Sequence, residues 1–340
     1  MKKSFLLLMA FLTMSANMLA DGLTATLQQG DKMTAYFGED AFKQAYEAAS
    51  DGAVITLSAG GFNSDIVIEK QITIIGAYAF SGKDTENTHV WSIQIGVDNV
   101  NIEGIYISTS LTLGHKDAIS NCQIKRCWVE STLSANQTHT NTVVDQCVVK
   151  TETANAKGIN YSIKNTTINK FGAKNTTDNM ATITNCVVWQ WTNGGSSGFY
   201  QPYAIYMNNI LGNGTSGDYS MTADASSEFY HNAFVRVKEN GYGVFKVLFP
   251  SGIDGGNITG ENTDEFYNTN LYYSGLNTYP AWHPKDKWET AGMDGTWIGI
   301  YGGTGFSAYP GIPRIVSRTI DSFTDAEGKL NVKISAKAEP

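Results

Sequence analysis

Beyond Leu12 the sequence has no long apolar run, so nothing downstream reads as a membrane-spanning helix. Charge is sparse: 24 Lys and Arg face 32 Asp and Glu, a net charge of −8 over 340 residues. That balance argues against nucleic acid or an anionic membrane as the main partner. The five histidines (89, 115, 139, 231 and 283) have no metal-ligand spacing, and no thiol pair has a zinc-like interval. There is no Gly-x-Ser-x-Gly elbow, no phosphate-binding loop and no Asp-Asp pair. The reading therefore assigns no metal and no cofactor. Leu, Glu and Lys at i, i+3, i+4 spacing are missing from the middle of the chain, which excludes a helical repeat there.

The single apolar run lies at the start. Met1-Lys2-Lys3, then Phe5 to Leu12, then Ser15, Ala16 and Ala20 read as a secretory signal peptide of bacterial type, with cleavage after Ala20. The expected address is periplasm, cell surface or medium.

What the middle of the chain does have is a period. Seven six-residue rows begin 19 to 24 residues apart: Ile102–Ile107, Ile124–Val129, Val144–Val149, Ile163–Ile168, Ile183–Val188, Tyr206–Leu211 and Tyr230–Val235. The first and last columns are apolar and mostly β-branched, as expected of strands buried on one face. The fourth column (Ile105, Cys127, Cys147, Thr166, Cys186, Asn209, Ala233) is small and reads as inward. Between inward neighbours, the third column needs a bend, which a left-handed residue supplies. It ends in Asn165, Asn185, Asn208 and Asn232 after Gly104, Arg126 and Gln146. Stacked Asn side chains would form a ladder, and Arg126 and Gln146 would need the bend held in another way. Cys127 and Cys147 would stack about 4.8 Å apart with parallel Cβ vectors, which suits buried thiols better than a disulfide.

A coil of about twenty residues with short strands is one turn of a solenoid. The rows resemble the right-handed parallel β-helices of pectin-lyase-like proteins, so the fold expectation is all-β. The expected domain plan is a leader at 1–20, a β-helix with its N-terminal cap at 21–303 and a strand-pair tail at 304–340. Asp40 to Ala49 puts Ala41, Phe42, Ala45, Tyr46 and Ala49 on one helical face, which predicts the capping helix. Ala77 to Val90 reads as an insertion. Trp191–Tyr203, Gly212–Ser227 and Lys238–Glu265 read as long loops, and Leu271-Tyr272-Tyr273 as a last rung. Asp294–Gly303 resembles the terminal turn of secreted β-helices. Arg314–Ile320 and Leu330–Ala336 predict a hairpin over an edge or the C-terminal end, with a sorting or attachment tail as its rival.

Two strips could carry chemistry. Before the bend, Glu103, Lys125, Asp145 and Lys164 alternate in sign, which predicts a salt-bridge ladder worth little per pair. The sharper reading makes Lys125 or Lys164 the base of a uronate lyase, with Asp145 or Asp117 assisting and calcium holding the substrate carboxylate. His115-Lys116-Asp117 is a compact titratable triplet in a predicted loop. After the bend, Tyr106, Trp128, Val148, Thr167, Val187, Ile210 and Phe234 form an outward strip. Its aromatic rings suit sugar faces, unless a loop or the tail covers them. Trp189, Trp191, Tyr200 and Tyr203 form a second aromatic cluster. Pectin methylesterases and polygalacturonases share the resembled architecture, but their paired-Asp and Gln signatures are missing. The favoured expectation is an exported protein that binds a polysaccharide or surface glycan without catalysis. The alternatives are the lyase and a structural surface or adhesin segment.

Overall fold

The computed structural model describes residues 22–80, 87–171, 181–190, 204–212, 227–235, 255–261, 288–307, 314–320 and 332–337. The proposed leader, Leu271-Tyr272-Tyr273 and most of the three long loops lie outside them.

The chain enters through an antiparallel hairpin, β1 (Thr24–Gln29) and β2 (Lys32–Phe37). The helix α1 (Ala41–Ala48) follows, then β3 (Val54–Leu57). Ala41, Phe42 and Ala45 are the buried stripe of α1, as their spacing predicts. Lys70 closes its C-terminal end: Nζ donates to the carbonyls of Tyr46, Glu47 and Ala49 at 2.8, 3.0 and 2.8 Å, where the helix dipole favours a cation. The cap is more than a helix, because β1 pairs antiparallel with β3 and extends the sheet past it.

From β3 onward the solenoid strands stack in parallel. Among the described residues one sheet has eleven strands, a second has thirteen, and a short third joins Ile119–Ser120, His139–Thr140 and Gly158–Ile159. In the first sheet Ile55, Ile74, Ile102, Ile124, Val144, Ile163, Ile183, Tyr206 and Phe229 fall in one register column, all buried. Each such side chain contributes roughly 1.5 to 3 kcal/mol by leaving water. Tyr206 and Phe229 stack face to face at 4.9 Å between centroids. The fold is a parallel β-solenoid.

The bend falls where the rows place it. Gly104, Arg126, Gln146, Asn165, Asn185, Asn208 and His231 have φ of 70, 50, 55, 45, 55, 55 and 51°. Arg126 and Gln146 therefore bend the chain in the same left-handed way as the asparagines. The seventh row needs a one-residue correction. Tyr206 pairs with Phe229 and Ile210 with Ala233, so the row is Phe229–Phe234 and His231 holds the bend. Phe234 consequently points inward and is fully buried, instead of joining the outward strip.

Asn232 moves to the fourth column, and there the ladder forms. The bend takes the fourth-column N–H off the strand ladder, and the side chain one coil further on accepts it. Cys127 N donates to Cys147 Sγ (3.5 Å), Cys147 N to Thr166 Oγ1 (3.2 Å) and Cys186 N to Asn209 Oδ1 (2.8 Å). Asn209 N donates to Asn232 Oδ1 (3.0 Å) and Asn232 N to Asn257 Oδ1 (2.9 Å). The same amides donate back to first-column carbonyls, Asn209 Nδ2 to Ile183 O at 2.7 Å and Asn232 Nδ2 to Tyr206 O at 2.9 Å. A buried N–H must find an acceptor, so the column takes small residues that accept and donate together. All four cysteines are free and buried, and burial pushes the Cys122 and Cys186 thiols up to about 11 and 12. Asn257 also shows that 255–261 is not an excursion: Ile258 pairs with Ala233 and adds a coil.

A second left-handed corner escaped the sequence reading. Asn99, Asn121, Asn141 and Asn160 have φ of 59, 56, 53 and 51°. Asn141 Nδ2 donates to Asn121 Oδ1 at 3.1 Å and Asn160 Nδ2 to Asn141 Oδ1 at 2.6 Å, an exposed amide ladder.

Asp294–Gly303 is not a terminal turn. It belongs to a strap, residues 288–306, that runs back along the bend column. His231 Nδ1 lies 3.2 Å from Ala291 O, and Asn208 Oδ1 accepts Met293 N–H at 2.7 Å. Asn185 Nδ2 donates to Trp297 O at 3.4 Å, and Asn165 Nδ2 to Ile300 O and Gly302 O at 2.9 and 2.8 Å. Gln146 Nε2 reaches Gly305 O at 2.9 Å. Ile298 and Ile300 pack on Val187, Ile210 and Ala233. Glycine is required at 302, where a Cβ would meet Trp297 O at 1.9 Å and Asn185 Nδ2 at 2.0 Å. The predicted tail hairpin is present, Arg314–Ile320 against Val332–Lys337, as a two-stranded sheet of its own.

Asn209→Ala should orphan the buried Cys186 N–H, whose acceptor is Asn209 Oδ1. A loss of about 1 to 3 kcal/mol in chemical denaturation is expected, the cost of one buried orphan. Asn165→Gly keeps the positive φ without strain and removes only the grip on the strap. Hydrogen exchange of residues 297–305 should then accelerate by one to two orders of magnitude, while strand amides at 163–168 keep their protection.

Candidate functional site

The charged strip before the bend is an ion-pair ladder. Lys164 Nζ lies 3.5 Å from Asp145 Oδ2, and Arg126 Nη1 lies 2.6 Å from Glu103 Oε1. Burial holds the Asp145 carboxyl above the usual range, despite Lys164, Lys125 and Arg126 around it. Lys164 is thus already paired, which is poor preparation for a base. Lys125 sits one strand away, with Asp145 and Glu103 as its register neighbours. Asp117 is not brought to this strip. It is exposed in the turn before Ile119, where neighbouring Lys116 meets Glu69 at 3.7 Å in solvent and His115 Nδ1 lies 2.5 Å from Gln94 Oε1. Among the described residues no group of three or more His, Cys, Asp or Glu side chains is arranged to hold a metal ion.

The outward strip after the bend divides in two. Val187, Ile210 and Ala233 lie under the strap, and Trp128 and Val148 pack with Ala79 and Phe80. Trp128 is 5% exposed, its ring 6.2 Å from Phe80, which meets Phe306 of the strap at 5.5 Å. Its Nε1 donates to Glu130 Oε2 at 3.0 Å. Trp128 is therefore corrected from an open platform to the covered wall of one. Large apolar area rarely stays bare, and here a distant segment covers it.

The open part of the strip lies at the N-terminal coils. Tyr106 is half-buried, edge-on to Trp128 at 5.8 Å and to His89 at 5.2 Å. His89 continues to Trp91 at 6.4 Å, and Trp91 is 56% exposed. Gly61 pairs with His89 and brings no side chain over its ring. The strand order thus sets Trp91, His89 and Tyr106 in one row. Reading Ala77 to Val90 as an insertion hid this, because Thr88–Val90 is a strand between Gly60–Gly61 and Tyr106–Ile107. The available signal was the alternation of His89, Val90 and Trp91.

Beside that row, Trp91 N donates to Ser64 O at 3.1 Å, and Ser64 lines a groove of about 400 Å³. Its walls are Asp40, Lys43, Tyr46 and Glu47 from α1 and Asn63 to Val67 opposite. Asp65 Oδ1 accepts the Ser92 hydroxyl. Rings, carboxylates and an amide thus converge at one end of the solenoid. Trp189 belongs to strand Val187–Gln190, but its side chain, like Trp191, Tyr200 and Tyr203, is outside the described residues.

A second polar cluster is enclosed. His139, Thr142 and Glu152 of one coil, with Tyr161 of the next, point into the core, where the coil before them has Ile119, Cys122 and Leu133. Tyr161 OH donates to Glu152 Oε1 at 3.2 Å and Asn155 N–H donates to the same oxygen at 3.0 Å. His139 Nε2 lies 2.9 Å from Ala154 O. Burial raises the Glu152 carboxyl to about 8 and lowers His139. No side chain here reaches solvent, so the cluster acts on stability.

No protein-family profile, curated protein or solved structure matches this chain. The fold places it among the parallel β-solenoids, and none of the described helices is long and apolar enough to cross a membrane.

Folded Glu152 keeps its proton up to about pH 8, whereas the unfolded chain releases it near 4.5. Its stabilising contribution is therefore full below pH 4.5 and is lost as pH rises to 8. The span corresponds to about 5 kcal/mol at 1.36 kcal/mol per pH unit. Glu152→Gln should flatten the fall in stability between pH 5 and 9, measured by urea unfolding across that range. His139 works the other way, favouring the fold above its ordinary pKa and less as pH falls.

Proposed function

We propose that this chain is an exported β-solenoid that binds polysaccharide without transforming it. The contact surface is the Trp91–His89–Tyr106 row together with the groove beside α1. The observation that carries this reading is the row itself: an indole 56% exposed and continuous with two further half-exposed rings. Pyranose rings stack their apolar C–H faces on such rings. Their hydroxyls need donors and acceptors nearby, and Asp40, Lys43, Glu47, Asn63 and Asp65 supply both. Export rests on the leader-like start of the sequence, Met1 to Ala20. The row and groove lie at the capped end of the stack, away from the strap residues that cover Val187, Ile210 and Ala233.

Titration with a panel of neutral and uronate-containing polysaccharides, by calorimetry or retardation in glycan-loaded gels, tests the reading. Trp91→Ala should weaken the binding of the recognised glycan about tenfold, the equivalent of about 1.4 kcal/mol of lost stacking. Trp128→Phe should leave it within about twofold. No binding to any glycan, or binding indifferent to Trp91, would remove the proposal.

A further inference from the structure

The first sheet ends at β2, which pairs with β1 alone among the described residues. The register between them is continuous from Thr24↔Phe37 to Gln29↔Lys32, without a bulge. The strand reads Lys-Met-Thr-Ala-Tyr-Phe, with no proline and one charge, at its first position. None of the usual devices that blunt a sheet edge is central to it. Its solvent face carries Met33, 67% exposed, and Phe37, 45% exposed, with exposed Ala35 midway. Thr34 and Tyr36 alternate onto the other face and are half-buried.

We infer that this edge is where a second copy of the chain docks, as an antiparallel β2–β2 pair about a two-fold axis at Ala35. Residues directly opposite in an antiparallel pair share a face, so the registers that preserve both faces pair odd positions with odd ones. Centring on Ala35 sets Met33 opposite the partner's Phe37, and Phe37 opposite the partner's Met33, so both exposed apolar side chains are covered twice. Centring on Thr34 sets Phe37 against Asp31, and centring on Tyr36 sets Met33 against Glu39. Only the Ala35 register sets both Met33 and Phe37 against apolar partners. It also aligns Asp31 with Glu39, but both lie beyond the strand, and Gly38, with φ of 93°, turns the chain away before Glu39. The small Ala35 lets the two backbones approach at the axis. One strand edge and four apolar side chains cover less than the roughly 1,200 Å² of a stable interface, so association is concentration-dependent.

Sedimentation of the full chain from micromolar to near-millimolar concentration should show mass rising towards that of a dimer. Met33→Asp with Phe37→Asp, both at exposed positions, should hold it monomeric without changing its melting temperature. Ala35→Cys supplies a positive test. All four native thiols are buried, so Cys at 35 is the one accessible thiol, and across the axis its Cβ pair lies within reach of a disulfide. Mild oxidation should cross-link Ala35→Cys at least tenfold faster than Ser131→Cys, an exposed position away from the edge, and Met33→Asp should abolish the difference. A wild-type chain monomeric throughout, equal cross-linking at both positions, or a dimer indifferent to Met33→Asp and Phe37→Asp would each overturn the inference.

Discussion

From Gly104 to His231 the coils turn at one shared corner on a left-handed residue, and the rest of the structure adjusts to that turn. Positive φ costs roughly 1 to 2 kcal/mol at a non-glycine residue, yet Arg126, Gln146, Asn165, Asn185, Asn208 and His231 all accept it. The compensation is local and repeated. Turning the chain takes the next N–H off the ladder, and a thiol, hydroxyl or amide on the following coil accepts it. The fourth column therefore changes from cysteine to threonine to asparagine without changing its task. Each of these side chains is small, and each can accept and donate.

The same turn aims the bend side chains outward, and five of them take hold of a segment from much later in the chain. Gln146, Asn165, Asn185, Asn208 and His231 all contact strap backbone. The strap then covers the apolar strip from Ala233 down to the neighbourhood of Trp128. What remains open is the capped end, with Trp91, His89 and Tyr106 beside the groove of α1. The proposed binding surface thus lies on the part of the strip that the described strap residues, ending near Phe306, do not cover. Enclosed polarity has a different role: Glu152 and His139 of one coil tie to Tyr161 of the next at the cost of pH sensitivity.

Much of the core was legible because burial repeats with the coil. Ile102, Ile124, Val144, Ile163 and Ile183 announce one column, and the charges at Glu103, Lys125, Asp145 and Lys164 announce its solvent side. The seventh row slipped by one residue for a definite reason. Asn serves both as a bend residue and as an inward acceptor, so Asn232 fitted the third column as well as its true fourth. The corner at Asn99, Asn121, Asn141 and Asn160 was equally periodic, but it lies outside the six-residue rows. Trp91 and His89 were missed because a polar stretch before them reads as an insertion, and it ends in a paired strand only when Gly60–Gly61 is beside it.

Strand alternation, the bend and the buried thiol column depend on nearest neighbours one coil apart, so a period of about twenty residues encodes them. Coverage of the outer face does not work that way. The strap is held mainly through its backbone groups, which every residue possesses, by side chains 60 to 159 positions away. Such contacts leave no pattern in composition or spacing. Which of the described aromatic rings stay exposed was decided by that long-range packing.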